Sequence, residues 1–158
     1  MNSIDLAKTI DPRFWKSNRL ASFENWPFQS DCSCTPEKMA AAGFILIGER
    51  EIEPDLVECF ICGKQLDDWD SDDDPWSEHK KHMPSCAFVE LGKRDEVEWT
   101  VAELFTLHKE FVKRSLKKKY ELAVSKLKAE AAELSDQISK SQKTVRKLRR
   151  AKSKRSDA

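Results

Sequence analysis

The stretch CFICGKQLDDWDSDDDPWSEHKKHMPSC, residues 59–86, decides how this chain is read. It opens on Cys59-Phe60-Ile61-Cys62, a C-x2-C pair whose two thiolates reach one ion from a single turn, and it carries His79, His82 and Cys86 behind them. Structural zinc takes four nitrogen or sulfur ligands in a tetrahedron, commonly three cysteines and one histidine. The donors are therefore Cys59, Cys62, Cys86 and one of the two histidines, and spacing alone permits either His79 or His82. Four protein ligands close the coordination sphere and leave no position for an activated water, so one structural Zn²⁺ is expected rather than a catalytic one. Core cysteines beside surface histidines are the plainer alternative.

All five cysteines lie at or before Cys86. In a reducing compartment they serve metal or stay free thiols rather than form disulfides. Cys32 and Cys34, one residue apart, are too tight for one tetrahedral site and read as ordinary thiols. The N-terminus has neither a basic region nor an apolar run, which argues against a secretory signal, and no segment has the roughly 20 apolar residues of a membrane span. Only four glycines occur in 158 residues, so no phosphate-cradling loop is in view and no enzyme is expected.

Outward from the cysteines the chain divides by charge. Residues 1–90 hold 9 Lys+Arg against 18 Asp+Glu and residues 91–158 hold 19 against 10, so a net charge of zero conceals an acidic head and a basic tail. Such asymmetry suggests separate partners for the halves. The head is punctuated by proline and glycine from Pro12 to Pro84. Thr35-Pro36 before EKMAAAG reads as a helix with a threonine cap and a Gly43 stop, residues 56–61 as a strand, and Asp74-Pro75 as the start of a helix toward His82. The fold class is α+β: short helices around a three-stranded meander, followed by one long C-terminal helix.

After Gly92 there is no glycine or proline, and good helix formers dominate from about Thr100 to about Arg150. With Tyr120 at an a position, Val124, Leu127, Ala131, Leu134, Ile138, Ser141, Val145 and Leu148 follow in unbroken 4,3 alternation, which is a coiled-coil seam. Leu104, Leu107 and Phe111 keep the same spacing in another phase, so the two segments are expected to face different partners. A head of about 80 residues cannot cover so long a stripe, and a lone exposed amphipathic helix is unstable, so helix association with another chain is expected. His108, on this helix, reads as solvated.

SFENWPF (22–28), CTPEKMAAAGF (34–44), EPDLVECFIC (53–62), DDWDSDDDPWSEHKKH (67–82) and CAF (86–88), taken with the ligand spacing, resemble a baculovirus inhibitor-of-apoptosis repeat, or BIR domain. One such repeat over residues 14–90, followed by a long helix with no later cysteine for a RING, resembles the survivin-like single-BIR family. The resulting division is an N-terminal segment 1–13, the BIR domain, a linker 91–99, the helix 100–150 and a basic disordered tail 151–158. The resemblance implies C-x2-C then H-x6-C as ligands, hence Cys59, Cys62, His79 and Cys86, with His82 free.

It also implies partners. Members of that family form a three-helix bundle with borealin and the inner centromere protein, which carries Aurora kinase to centromeres and then to the spindle midzone and midbody; the seam is where those helices would sit. The same family reads a histone N-terminus whose third residue is phosphothreonine. Asp67, Trp69 and Asp73, flanked by Asp72, supply carboxylates and an aromatic wall for a free amine, and Lys64 and His82 match the phosphate positions. Family homodimer contacts map onto Phe14, Trp15, Trp99, Val101, Leu104 and Phe105. Thr35 matches a proline-directed phosphorylation site, compatible with its capping role. The basic end, RKLRRAKSKR, suits nucleic acid or a nuclear signal, or is simply solvated. Nucleus, chromosomes and cytoplasm are the implied locations. The competing function is an apoptosis inhibitor that binds caspases or free N-terminal inhibitor peptides. Asp67 stands where the family more often has glutamate, and residues 45–53 (ILIGEREIE) depart from the usual stretch.

Overall fold

The computed structural model describes residues 10–156, with side chains described over 10–147. Short helices surround a small sheet, as the punctuation of the head requires. A 3-10 turn, Pro12–Phe14, leads into α1 (Lys16–Ala21); α2 (Pro36–Ala41) precedes β1 (Phe44–Leu46), β2 (Val57–Cys59) and β3 (Gln65–Leu66); α3 (Pro75–His82) and α4 (Ala87–Leu91) follow, and after a 3-10 turn at Glu96–Glu98 the chain enters α5 (Val101–Ser156). The sheet is an antiparallel meander in the order β1-β2-β3, with Phe44 opposite Cys59, Leu46 opposite Val57 and Val57 opposite Leu66. Two compact units result, Met1–Ser115 and Leu116–Ala158.

Local signals explain most element ends. Asp74 caps α3 by accepting the Ser77 amide at 2.8 Å, with Pro75 in the first turn. Thr35 sits at the cap position of α2, but its side chain makes no capping bond, so the expected threonine cap is positional only. Gly43 ends α2 at φ +86°, and a Cβ there would meet the Phe88 ring at 2.8 Å; both the backbone and the close approach call for glycine. The strand expected over 56–61 is shorter because Phe60 to Cys62 turn away toward the cysteine cluster. Thr100 and Glu103 form a capping box at the start of α5: the Thr100 amide donates to Glu103 at 2.7 Å and the Glu103 amide to the Thr100 hydroxyl at 3.3 Å. Hydrogen bonding to Lys93, with the Thr100 amide, holds the Glu103 carboxyl down to about 2.

The core of the first unit is aromatic. Phe14 packs edge-on to Phe60 and Phe111, Phe23 to Trp26, and Phe88 to Phe60 and Trp76. Leu107 and Phe111 are buried, so the first turns of α5 cover their own domain rather than another chain, which corrects the expectation of a separate partner for that stripe. His108 is likewise half-buried, its ring 5.7 Å from that of Phe14, not simply solvated.

Two arginines that the sequence reading passed over organise this core. Arg19 is fully buried; its guanidinium donates to the carbonyls of Arg13, Phe14 and Ala40, pairs with Glu96 at 3.0 Å and lies 4.4 Å from the Phe60 ring centre. It ties the first helix to the 3-10 turn before α5. Arg114 donates to the carbonyls of Cys59 and Phe60, each at 3.2 Å, and pairs with Glu58.

In the second unit, residues 116–147 are exposed except for the intermediate Val124. Tyr120, Leu127, Leu134, Ile138 and Val145 are 70, 64, 58, 58 and 47% exposed, while the Leu148 side chain lies outside the described residues. The helix continues to Ser156, beyond the expected end near 150 and through most of the stretch read as a disordered tail. Among the described residues no helix is long and apolar enough to cross a membrane.

Candidate metal centre and peptide groove

Cys59 closes β2, Cys62 follows in the turn, His79 comes from α3 and Cys86 caps α4, so four elements converge on one point. The ligand atoms of Cys59, Cys62, His79 and Cys86 all lie within 4.8 Å of one another. Cys59 Sγ is 4.0 Å from Cys86 Sγ, and Cys62 Sγ is 3.5 Å from His79 Nε2. Zn–S bonds of about 2.3 Å at tetrahedral angles place sulfurs about 3.8 Å apart, so the arrangement is sized for zinc. His82 is outside the cluster; the structure resolves the histidine choice in favour of His79.

The surroundings fit a dication. His79 Nδ1 lies 2.8 Å from the Ala42 carbonyl, which fixes the tautomer that presents Nε2 to the sulfurs. The amides of Ile61 and Lys64 donate to Cys59 Sγ and Cys62 Sγ at 3.4 and 3.5 Å. Burial opposes charge on His79, yet hydrogen bonds to Cys62 and Cys86 outweigh it and raise the group to about 9. Burial pushes the Cys59 thiol up, while hydrogen bonds from Cys59 and Cys62 draw Cys86 down. This opposed pair marks a cluster that stabilises negative sulfur with protons; a zinc ion replaces those protons with a single doubly charged ion. The four residues form the site for one structural zinc.

Beside the metal centre, between β3 and α3, lies a groove of about 270 Å³ lined by Leu66, Asp67, Trp69, Asp73, Glu78 and His82, with Asp68, Asp70 and Lys81 completing it. Trp69 is 94% buried, its ring edge-on to Trp26 and Phe44, and its amide is held by Asp55 at 2.9 Å. Asp73 already accepts the Asp70 amide at 2.9 Å, so one of its oxygens braces the loop. Of the residues expected at a peptide site, the structure gathers Asp67, Trp69, Asp73 and His82. Lys64 and Asp72 do not line the groove: Lys64 precedes β3, its backbone spent on the cysteine turn, and Asp72 is exposed.

Nor is His82 free. Its Nε2 is 3.3 Å from Glu78, which also pairs with Lys81 at 3.0 Å. Glu78 and Lys81 were missed by the sequence reading, although Glu78 stands one helical turn before His82, the spacing of facing side chains.

The residues mapped as dimer contacts divide. Phe14 has no exposed surface and belongs to the core, because its ring fills the space between Phe60 and Phe111; it is not available as an interface. Trp15, Trp99 and Leu104 are half-buried against the core, whereas Val101 and Phe105 are 70 and 54% exposed. Cys34 is buried, donates to the Asp70 carbonyl at 3.2 Å, and is pushed up to about 11 by burial and by Cys32 beside it, which makes it an unreactive structural thiol. Thr35 is partly exposed.

The family description "BIR: Inhibitor of Apoptosis domain" matches residues 19–90. The chain is similar to baculoviral IAP repeat-containing protein 5 of Rattus norvegicus, 47% identical over 117 residues that cover 72% of this chain and 81% of that one. It is 49% identical over 111 residues to the protein of the same description from Cavia porcellus, covering 68% and 77%, and 44% identical over 124 residues to protein 5.2-A of Xenopus laevis, covering 78% of each.

Proposed function

The chain belongs to the family of baculoviral IAP repeat-containing protein 5, the survivin type, and from that premise we propose that it is a non-catalytic adaptor which reads a phosphorylated histone N-terminus in its BIR groove and joins a chromosomal passenger complex through its long helix. The observation that carries this reading is that the groove holds both acidic and basic side chains. Asp67 and Asp73 line it together with the Trp69 ring, and Lys81 and His82 line it as well. A free α-amine requires carboxylates with an apolar wall, and a phosphate on a nearby residue requires donors that carry charge. One short peptide with a free N-terminus and a phosphorylated third residue uses both kinds of group at once. Lys81, which lines the groove where Lys64 does not, is proposed as the second phosphate donor.

The helix supplies the second half of the reading. Five large seam residues from Tyr120 to Val145 stand about half or more exposed in a regular 4,3 spacing, and an unpartnered stripe of that kind is completed by other helices. Helices of borealin and inner-centromere-protein type are the proposed partners, with Aurora kinase carried indirectly and centromere, spindle midzone and midbody as the sites of action. The zinc fold holds the groove rigid, and neither half needs a reacting group.

Calorimetry on the zinc-loaded full chain, with histone-tail peptides bearing a free N-terminus, plain or phosphorylated on the third residue, tests the proposal. Preference for the phosphorylated peptide, lost on His82→Ala or Lys81→Ala, is the expected result. Equal binding of both peptides, or tighter binding of an apoptosis-inhibitor N-terminal peptide, would turn the reading to the apoptotic alternative.

A further inference from the structure

From residue 137 to residue 156 the chain carries nine Lys and Arg and no Asp or Glu. We infer that the helix face opposite the apolar seam in this stretch is a docking surface for duplex nucleic acid, independent of the peptide groove. At about 100° per residue, Lys143, Lys147, Arg150 and Lys154 occupy helical positions within about 60° of one another. Leu134, Ile138 and Val145 lie on the reverse side of the same helix. Partner helices that cover the seam therefore leave this cationic face open.

Charge complementarity selects the occupant. Among the described side chains Lys143 and Lys147 are exposed and have no acidic neighbour one turn away on either side, whereas Lys140 is spent on Asp136 at 2.6 Å. The other positions on and beside this face are Ser139, Ala151 and two more cations, Lys140 and Arg146, with no aromatic or large aliphatic residue among them. A protein partner needs a buried aromatic or aliphatic anchor, and a membrane-bound helix needs its apolar side in lipid, which here is the seam itself. A face of cations separated by small residues fits a ligand of uniform surface charge. Over the roughly 17 Å between Lys143 and Lys154, at 1.5 Å per residue, a duplex presents about ten phosphates.

The test is fluorescence anisotropy of a labelled mixed-sequence 20-base-pair duplex with the zinc-loaded full chain over a salt series. The fourfold variant K143E/K147E/R150E/K154E should bind at least tenfold more weakly, and its salt slope should be shallower by about 3 to 4, one phosphate contact per lost cation. Helicity by circular dichroism and zinc content report whether the variant is folded. The double variant K117Q/K119Q, on the same helix, should bind as the parent does. Three results would overturn the inference: no duplex binding at low salt, an equal loss in K117Q/K119Q, or binding to phosphatidylserine vesicles without binding to DNA.

Discussion

Arg114 and Gly63 should behave as one unit, and a double-mutant cycle between them measures it. Gly63 follows the second zinc cysteine at φ +73°, and a Cβ built there would fall well inside contact distance of the Arg114 guanidinium. That group donates to the Cys59 and Phe60 carbonyls and pairs with Glu58, so it cannot retreat without breaking those bonds. Arg114→Ala removes two charge-assisted hydrogen bonds to carbonyls and the pair with Glu58 at a partly exposed site; counting the two carbonyl bonds alone at the lower end of the usual range, the cost is about 3 kcal/mol. Gly63→Ala adds about 1 kcal/mol for a left-handed alanine and also evicts the guanidinium, so it should cost about 4 kcal/mol.

Independent effects would sum to about 7 kcal/mol, but with Arg114 gone the new methyl has nothing to displace, and the double variant should cost only about 4 kcal/mol. Urea unfolding of the zinc-loaded proteins measures the cycle, and amide exchange over residues 101–115 reports whether the start of the long helix has come away. Additivity within about 0.5 kcal/mol would refute the contact and with it the claim that this arginine fastens the helix to the cysteine turn.

Other consequences are simpler to check. Leu127, Leu134 and Ile138 changed together to Glu should abolish co-purification with partner helices while zinc content stays at one per chain; assembly that survives would sink the seam. Cys59→Ser, or excess chelator, should collapse the near-ultraviolet signal of the aromatic core, since zinc binding and folding are one equilibrium in a head of this kind. Phe14→Ala should cost about 3 to 5 kcal/mol as a core deletion, whereas a surface dimer contact would cost little stability and change only the apparent mass. Glu103, held at about 2 against an ordinary 4.5, supports the start of α5 above pH 4.5, and this support fades as pH falls toward 2. Exchange protection of the first turn should follow that curve, and Glu103→Gln should flatten it.

What was legible in the sequence was local or periodic. The C-x2-C turn, the Asp74-Pro75 start of α3 and the Gly43 stop each depend on neighbours a few residues away, and the 4,3 seam is a repeat of the helix itself. The fourth zinc ligand needed more: spacing admitted two histidines, and only the turn of α3 that sends His79 inward, toward the Ala42 carbonyl, separates them. Arg19 and Arg114 escaped notice because an arginine in a charged sequence looks solvated; their carbonyl partners lie up to 55 residues away. The burial of Leu107 and Phe111 has the same origin. Their stripe was visible, but what it faced depended on how the 3-10 turn at 96–98 returns the chain to the core, and Arg19 and Lys16 fix that turn by binding Glu96 and Asp95.

Glu78 turns the peptide groove into a competition. It lies 3.0 Å from Lys81 and 3.3 Å from His82, so an incoming phosphate must displace a carboxylate that already partners both. A peptide without phosphate meets no such cost and gains nothing from these two donors. Glu78→Gln removes the competitor while keeping size and hydrogen bonding. It should tighten the phosphorylated peptide several-fold, the equivalent of about 1 kcal/mol for a partly exposed pair, and leave the plain peptide within twofold. Calorimetry at low and high salt separates the cases, because the gain is electrostatic and shrinks with screening. Should Glu78→Gln instead weaken the phosphorylated peptide, the carboxylate would be orienting His82 rather than competing for it. An equal change for both peptides would place the phosphate elsewhere, and Lys64 would then be the cation to examine.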